Sequence, residues 1–141
     1  MDNQKKQGQL REIIGECTSA NLITFGPEGY PRGRLMGDQN VGEDWVFWYA
    51  TYASSRKIGE IAANPNVTLF YERKRDQAFA CVMGKAQVCT DQETKDKYWN
   101  DEWRMYWPDG PTSADYCIIK VRPDFAELWD LETHELRTIE F

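Results

Sequence analysis

The strongest constraint on this chain is its punctuation: short runs of β-branched and aromatic residues recur along it, and most are closed by a tight-turn signal. Asn21 to Phe25 ends in Gly26-Pro27-Glu28-Gly29, which predicts a hairpin whose second strand covers Pro31 to Gln39. Gly42-Glu43-Asp44 makes another turn, and Trp45 to Thr51 reads as a strand of almost purely aromatic and β-branched character. Val67 to Tyr71 follows, then a charged hairpin tip at Arg73-Lys74-Arg75-Asp76 and a long strand from Gln77 to Cys89. Tyr116 to Val121, Phe125 to Leu131 and a weaker run over Leu136 to Phe141 complete the set.

Helical spacing is sparse. Leu10, Ile13, Ile14 and Cys17 fall on one face and predict a helix over Lys5 to Cys17. After Ser54-Ser55, Ile58, Ile61 and Ala62 share a face until Asn64-Pro65-Asn66 stops the turn. Asp91 is placed to cap a third helix carrying Trp99, Trp103 and Tyr106 on one stripe, and Trp107-Pro108-Asp109-Gly110-Pro111 reads as a loop. About six or seven strands joined by tight turns predict a mainly β fold, an antiparallel barrel with flanking helices. Strand, helix and strand around Ser55 also fit a βαβ unit, but nothing else alternates, so a doubly wound sheet fits poorly.

The 141 residues suit one domain, which buries roughly two-thirds of the surface its unfolded chain exposes. There is no linker, low-complexity tract or internal repeat. A formal net charge of −6 argues against broad nucleic-acid binding, while leaving room for one local basic pocket. Cys17, Cys81, Cys89 and Cys117 are scattered and His134 is the lone histidine, so no metal site is expected. Met1 to Gln9 is polar, unlike a secretory leader, and no apolar run approaches the ~20 residues that span a bilayer. A cytoplasmic protein with reduced thiols and no membrane partner is the expectation.

Six Trp, seven Tyr and six Phe are many for so short a chain. They fit either a β-rich core or a platform for a flat ligand.

Thr51-Tyr52-Ala53-Ser54-Ser55-Arg56-Lys57 carries the most chemistry. A strand ends, two hydroxyl residues follow, and a helix opens with two cations in its first turn. Cations oppose the positive end of a helix dipole, so Arg56 and Lys57 are misplaced unless an anion sits there. A phosphate would resolve the conflict, with Ser55 donating, Arg56 gripping two oxygens and Lys57 acting as a point charge. Otherwise Ser54 or Ser55 is a simple cap and the cations are solvated. Arg32 and Arg34, two apart on one strand face, either complete the pocket or face solvent.

These residues, in this order, resemble a known family. Arg34-Leu35-Met36, Phe47 to Thr51, Ser55-Arg56-Lys57, Ile61 and Asn64-Pro65-Asn66-Val67 look like the FMN-binding stretch of pyridoxamine 5′-phosphate oxidase-like proteins. The likeness continues through Val82-Met83-Gly84-Lys85-Ala86 to Glu127-Leu128-Trp129. The Trp107 to Pro111 loop and Glu127 to Asp130 lean toward the general stress protein branch. The resemblance implies a split β-barrel homodimer with FMN at the interface, FAD remaining an alternative. It implies that Arg34, Ser55, Arg56 and Lys57 hold the phosphate. Leu35, Met36, Tyr49, Ala50 and Thr51 would line the ribityl chain and ring, and Trp129 would touch the flavin from the partner subunit or else be a buried strand tryptophan.

There are departures. Asp38 and Gln39 stand where the oxidase has a cofactor-holding lysine. Phe79 stands where it has a flavin-reading glutamine, with Gln77 two residues earlier as the substitute. Glu135-Leu136-Arg137 replaces the Arg-x-His motif that takes pyridoxamine phosphate, and a glutamate there repels a phosphate. The expected function is an FMN-dependent oxidoreductase for an unidentified small molecule, not a pyridoxamine phosphate oxidase. A flavin-binding stress or redox-sensing module without turnover and a split barrel that has lost its cofactor are the alternatives. No catalytic acid or base stands out. His134 reads as a surface residue and Arg73-Lys74-Arg75 as a solvated tip. The Trp99 and Trp103 stripe reads as packing rather than as a ligand cage.

Overall fold

The computed structural model describes residues 1–141. Eight strands form one antiparallel sheet: β1 (Ser19–Phe25), β2 (Pro31–Gly37), β3 (Asn40–Val41), β4 (Phe47–Tyr52), β5 (Asn66–Arg73), β6 (Ala78–Cys89), β7 (Tyr116–Asp130) and β8 (Glu135–Glu140). Their order is β2-β1-β5-β6-β7-β4-β3, with β8 added to β7, and the sheet curls into a split barrel. The helices are α1 (Asn3–Gly15), α2 (Arg56–Ala63) and α3 (Gln92–Lys97). No helix is long and apolar enough to cross a membrane. Although α2 joins β4 to β5, these strands are not neighbours, so the βαβ alternative is wrong.

Tyr116 to Asp130 is one strand, not the two expected. Its first half pairs with β4 and its second half with β8, while β6 runs along the whole length. Pro123 is tolerated because the ladder shifts register between Met83 and Gly84, where one N–H is not required. A Cβ on Gly84 would lie 2.5 Å from the Arg122 carbonyl oxygen, so close approach explains the glycine.

Alternation places Leu22, Leu69, Val82, Ile119, Leu128 and Ile139 in the barrel interior, all at 1 % exposure or less. Each such side chain contributes about 2 kcal/mol of apolar transfer. Leu10, Ile13 and Ile14 of α1 close one end of this core. Asp2 rather than a later residue caps α1, its carboxylate accepting from the Lys5 N–H at 2.9 Å, so the helix starts two residues before the expected Lys5.

Three other expectations shift for backbone reasons. β2 stops at Gly37 because Asp38 is left-handed (φ 48°), and β4 begins only at Phe47 because Trp45 is too (φ 65°). The third helix does not carry an aromatic stripe. It ends at Lys97, and Asn100 caps a separate 3₁₀ segment, Asp101–Met105, by accepting from the Glu102 N–H at 3.0 Å. Trp103 and Trp107 then bury into a second cluster with Cys89, Tyr116 and Ile118. Arg73 is not solvated at its hairpin tip: it grips Asp76 through two hydrogen bonds of 3.0 and 2.8 Å.

Candidate functional site

The strand-to-helix turn after β4 builds the site. The Ser55 hydroxyl donates to the Tyr52 carbonyl at 2.8 Å and makes no cap to the helix, so the N–H groups of the first turn keep no side-chain partner. Lys57 folds back and donates to Thr51 Oγ1 at 2.7 Å and Ser55 Oγ at 3.1 Å. Both acceptors are neutral, and no carboxylate lies within salt-bridge reach of its ammonium. Burial, aided by the Arg34 charge, lowers the Lys57 pKa. A half-buried cation without a counter-ion at a helix N-terminus is receptive to an anion.

Arg32 and Arg34 share a face of β2 and both turn toward one buried carboxylate, Glu60 of α2, which is 4 % exposed. Glu60 accepts from Thr24 Oγ1 at 3.0 Å, Arg32 Nη1 at 3.0 Å and Arg34 Nη2 at 2.9 Å. Arg34 also donates to Thr24 Oγ1 at 2.7 Å and to the Leu22 carbonyl at 3.2 Å. Arg56, mostly exposed, brings its Nε to 3.6 Å from Glu60. Burial works to raise the Glu60 pKa, but Thr24 and the three guanidinium groups outweigh it and hold the carboxyl below its usual range. Sequence reasoning missed Glu60, though its four-residue spacing from Arg56 was a legible helical pair. Glu28 pairs with Arg32 from the hairpin. Asp115 also reaches the turn, its Oδ1 accepting from the Ser54 N–H at 2.7 Å, so four cations (Arg32, Arg34, Arg56, Lys57) stand among three carboxylates (Glu28, Glu60, Asp115), a local surplus of 4 − 3 = +1.

Beside Lys57 lies a cleft of about 280 Å³ that brings together Leu35, Met36, Ala50 and Thr51. Its opposite wall is Trp103, Tyr106 and Trp107, from the segment between β6 and β7. Trp103 is anchored by its Nε1 donating to Asp38 at 2.9 Å, and Trp107 by donating to the Asp115 carbonyl at 2.8 Å. Asp38 thus holds a cleft wall. Gln39 instead faces the core, where its Oε1 lies 2.7 Å from the Tyr49 hydroxyl and 2.5 Å from that of Tyr71.

The remaining candidates do not join this cluster. The Tyr49 side chain is 1 % exposed in the barrel interior, so only its backbone is available to the strand's outer side. Gln77 does not share a strand face with Phe79: it is left-handed (φ 62°), exposed, and lies in the turn before β6. Trp129 sits on the outer sheet face in a ladder, 6.2 Å from Phe79 and 6.3 Å from His134 with near-parallel rings.

A curled antiparallel sheet with a cation-rich strand-to-helix turn and an aromatic-walled cleft defines a split-barrel protein with an anion-receptive site. The chain belongs to the pyridoxamine 5′-phosphate oxidase like family, whose model matches residues 5–140. General stress protein 26 of Bacillus subtilis (strain 168) is 25 % identical over 127 residues, 88 % of each chain. A protein related to it from Clostridium acetobutylicum has a TM-score of 0.86 at 20 % identity, covering 100 % of this chain and 97 % of that one. A pyridoxamine 5′-phosphate oxidase-related, FMN binding protein from Nostoc punctiforme PCC 73102 has a TM-score of 0.70 at 13 % identity, covering 100 % and 99 %. The recognition of family and fold from the sequence is therefore borne out.

Proposed function

We propose that this protein is a cytoplasmic homodimer that binds FMN and acts as a flavin-dependent oxidoreductase on a small molecule. The observation that carries the reading is Lys57: a half-buried ammonium with only hydroxyl partners, set at a helix N-terminus beside a cleft walled by aromatic rings. The local surplus of cations favours a phosphate monoester. Ser55, Arg56 and Lys57 would hold that phosphate, with Arg34 behind them. Leu35, Met36, Ala50, Thr51 and the Tyr49 backbone would line the rest. When bound, the flavin supplies hydride and electron transfer; the chain orients it and excludes water.

What one chain leaves undone supports dimerisation. The cleft, about 280 Å³, is at the small end for a cofactor site, which favours further walls from a second chain. The outer sheet face carries Ile23, Phe70, Phe79, Met83, Phe125 and Trp129, each half-buried or exposed, and an apolar face of that extent needs a cover. A second copy there would bring Trp129, and with it the neighbourhood of Gln77, to a cleft they cannot reach within their own chain. Four free thiols suit a reducing compartment. Pyridoxamine phosphate is disfavoured as substrate, because Arg137 is held by Asp130 at 2.6 Å and Glu135 adds exposed negative charge.

The test is reconstitution with FMN, and separately with riboflavin, of the wild type and a Ser55→Ala, Arg56→Ala, Lys57→Ala triple variant. The wild type should retain FMN, and Lys57→Ala alone should weaken FMN by about 10- to 100-fold while leaving riboflavin unchanged. Retention of FMN by the triple variant would refute the site. FMN binding with no turnover of any reductant would replace the oxidoreductase by a flavin-binding sensor.

A further inference from the structure

The strand registers lay the outer sheet face out as a grid. One row runs Leu35, Asn21, Phe70, Cys81, Glu127 and Thr138, each paired with the next on the neighbouring strand. The row on one side reads Gly33, Ile23, Thr68, Met83 and Phe125. On the other side Ser19 pairs with Gly37, and Phe79 lies beside Trp129. Two polar side chains in the middle row have no partner in the chain. Glu127, half-buried, makes no hydrogen bond and no ion pair. The Asn21 amide makes none either. Its Oδ1 is closed off from solvent over Gly33, where a Cβ would stand 2.5 Å from it, which leaves Nδ2 as the end on offer.

The spacing of these two groups is self-complementary. With strands about 4.8 Å apart, Asn21 on β1 and Glu127 on β7 stand about 7 Å to either side of the line between β5 and β6. A two-fold axis along that line, parallel to the strands, sets β1 of one copy over β7 of the other at the same row. Asn21 then faces Glu127, a free donor against a free acceptor, twice per dimer. Stacked sheets lie about 10 Å apart, a gap that an asparagine and a glutamate span between them. Apolar residues match as well, Phe70 meeting Cys81 and Ile23 meeting Phe125. An axis across the strands would instead set Glu127 on Glu127, two like charges over an apolar face. The parallel axis also carries Trp129 over Ser19 beside Gly37, and Gly37 lines the cleft next to Lys57.

We infer that the outer sheet face takes a second copy of this chain in one register, fixed by the Asn21 amide donating to the partner's Glu127 and by the reciprocal bond. The pair acts as a polar key on an apolar surface: a shift by one strand or one row leaves both groups buried without partners. In the keyed register the partner's Trp129 stands at the mouth of the cleft, so each site is completed by the other chain. The inference rests on the dimer proposed above and adds the residues that choose its geometry.

The experiment is sedimentation equilibrium of the flavin-free full chain and its variants, with circular dichroism to confirm that each is folded. Asn21→Asp sets two carboxylates together at both ends of the interface and should weaken the dimer at least about 100-fold. Adding Glu127→Gln to that variant restores a donor opposite an acceptor and should return the dimer to within about tenfold of the wild type. Glu127→Ala, which tests the same contact from the other chain, should weaken the dimer about 100-fold. FMN retention should fall and recover with the dimer across the series, because the partner's Trp129 arrives only in the keyed register. A wild-type dimer unmoved by Asn21→Asp and Glu127→Ala, or a double variant no tighter than Asn21→Asp alone, would overturn the pair and leave the dimer standing. A wild-type monomer would overturn the dimer and the pair together. A dimer that follows the series but takes up no FMN would uphold the pair and remove only the flavin reading.

Discussion

Glu60→Gln is expected to move stability and anion affinity in opposite directions. The Glu60 side chain is 3 % exposed, and it is the shared anion for Arg34 and Arg32, whose side chains are 19 % and 28 % exposed. Glutamine keeps the volume but removes the charge, and it turns one acceptor oxygen into a donor facing guanidinium donors. Breaking a buried pair from one side costs about 3–5 kcal/mol, and the partial exposure of both arginines favours the lower end, about 3 kcal/mol. For a domain of this size that is a fall in Tm of about 10 °C. The local charge surplus meanwhile rises by one, so inorganic phosphate should bind about tenfold more tightly. Phosphate at about 100 times its Kd should then restore about 2.7 kcal/mol. Thermal unfolding with and without phosphate reads both effects. Glu28→Gln, removing a more exposed partner of Arg32, serves as control and should cost under about 0.5 kcal/mol. An unchanged Tm, or weaker phosphate binding by Glu60→Gln, refutes the charge assignment. Acid gives the same answer by another route. The Glu60 pKa is lowered, so its contribution is present above the unfolded carboxylate range, about 4.3, and is lost as pH falls through the folded value.

Other outcomes follow from the same geometry. Gly84→Ala should cost about 2–3 kcal/mol in urea unfolding, because the new methyl meets Arg122 and Pro123 backbone, which cannot swing aside; a neutral effect would mean the bulge relaxes freely. Burial raises the phenol pKa of Tyr49 and of Tyr71, so their stabilising effect is complete below about pH 10 and is lost as pH rises above it. In a spectrophotometric titration their tyrosinate signal should appear only with unfolding; a full tyrosine signal with the fold intact would contradict this. Phe70→Glu, on the outer sheet face, should leave a folded monomer by sedimentation and weaken FMN retention, whereas an unaltered dimer would place the interface elsewhere.

The sequence was most legible where local chemistry and fold agree. Gly26-Pro27-Glu28-Gly29 and Asn64-Pro65-Asn66 are stops whatever surrounds them, and the segments they bound formed close to the expected limits. It was least legible where backbone strain or long-range pairing decides. Residue type alone does not announce the left-handed backbone of Asp38, Trp45 and Gln77: Trp45 and Gln77 close turns by donating to the Gly42 and Arg73 carbonyls, and Asp38 accepts from the distant Trp103 indole. Pro123 reads as a strand breaker until β6 supplies a register shift opposite it. In the site, Ser55-Arg56-Lys57 was visible because cations at a helix N-terminus violate a local rule. Glu60 was not, because an acidic residue on a helix violates none, and its meaning depends on β1 and β2 arriving from a distant part of the chain.

The aromatic richness resolves in the same way. Composition left open whether the rings fill a core or form a platform, and the structure gives them at least three different surroundings. Phe47, Tyr49 and Tyr71 are interior, as the alternation of β4 and β5 requires. Phe70, Phe79 and Trp129 form a ladder on the opposite sheet face, where a side chain of the same type meets no interior. Trp103 and Trp107 are buried in the inserted segment, while Tyr98, Trp99 and Tyr106 stay at its surface. Period-two alternation separates the first two groups once a strand's inner face is known. The inserted segment has no long regular element, so periodicity cannot say which of its rings pack and which stay open. Asp38, reaching it from the turn after β2, and the carbonyl of Asp115 at the segment's own end fix the two buried rings by taking the indole N–H groups of Trp103 and Trp107.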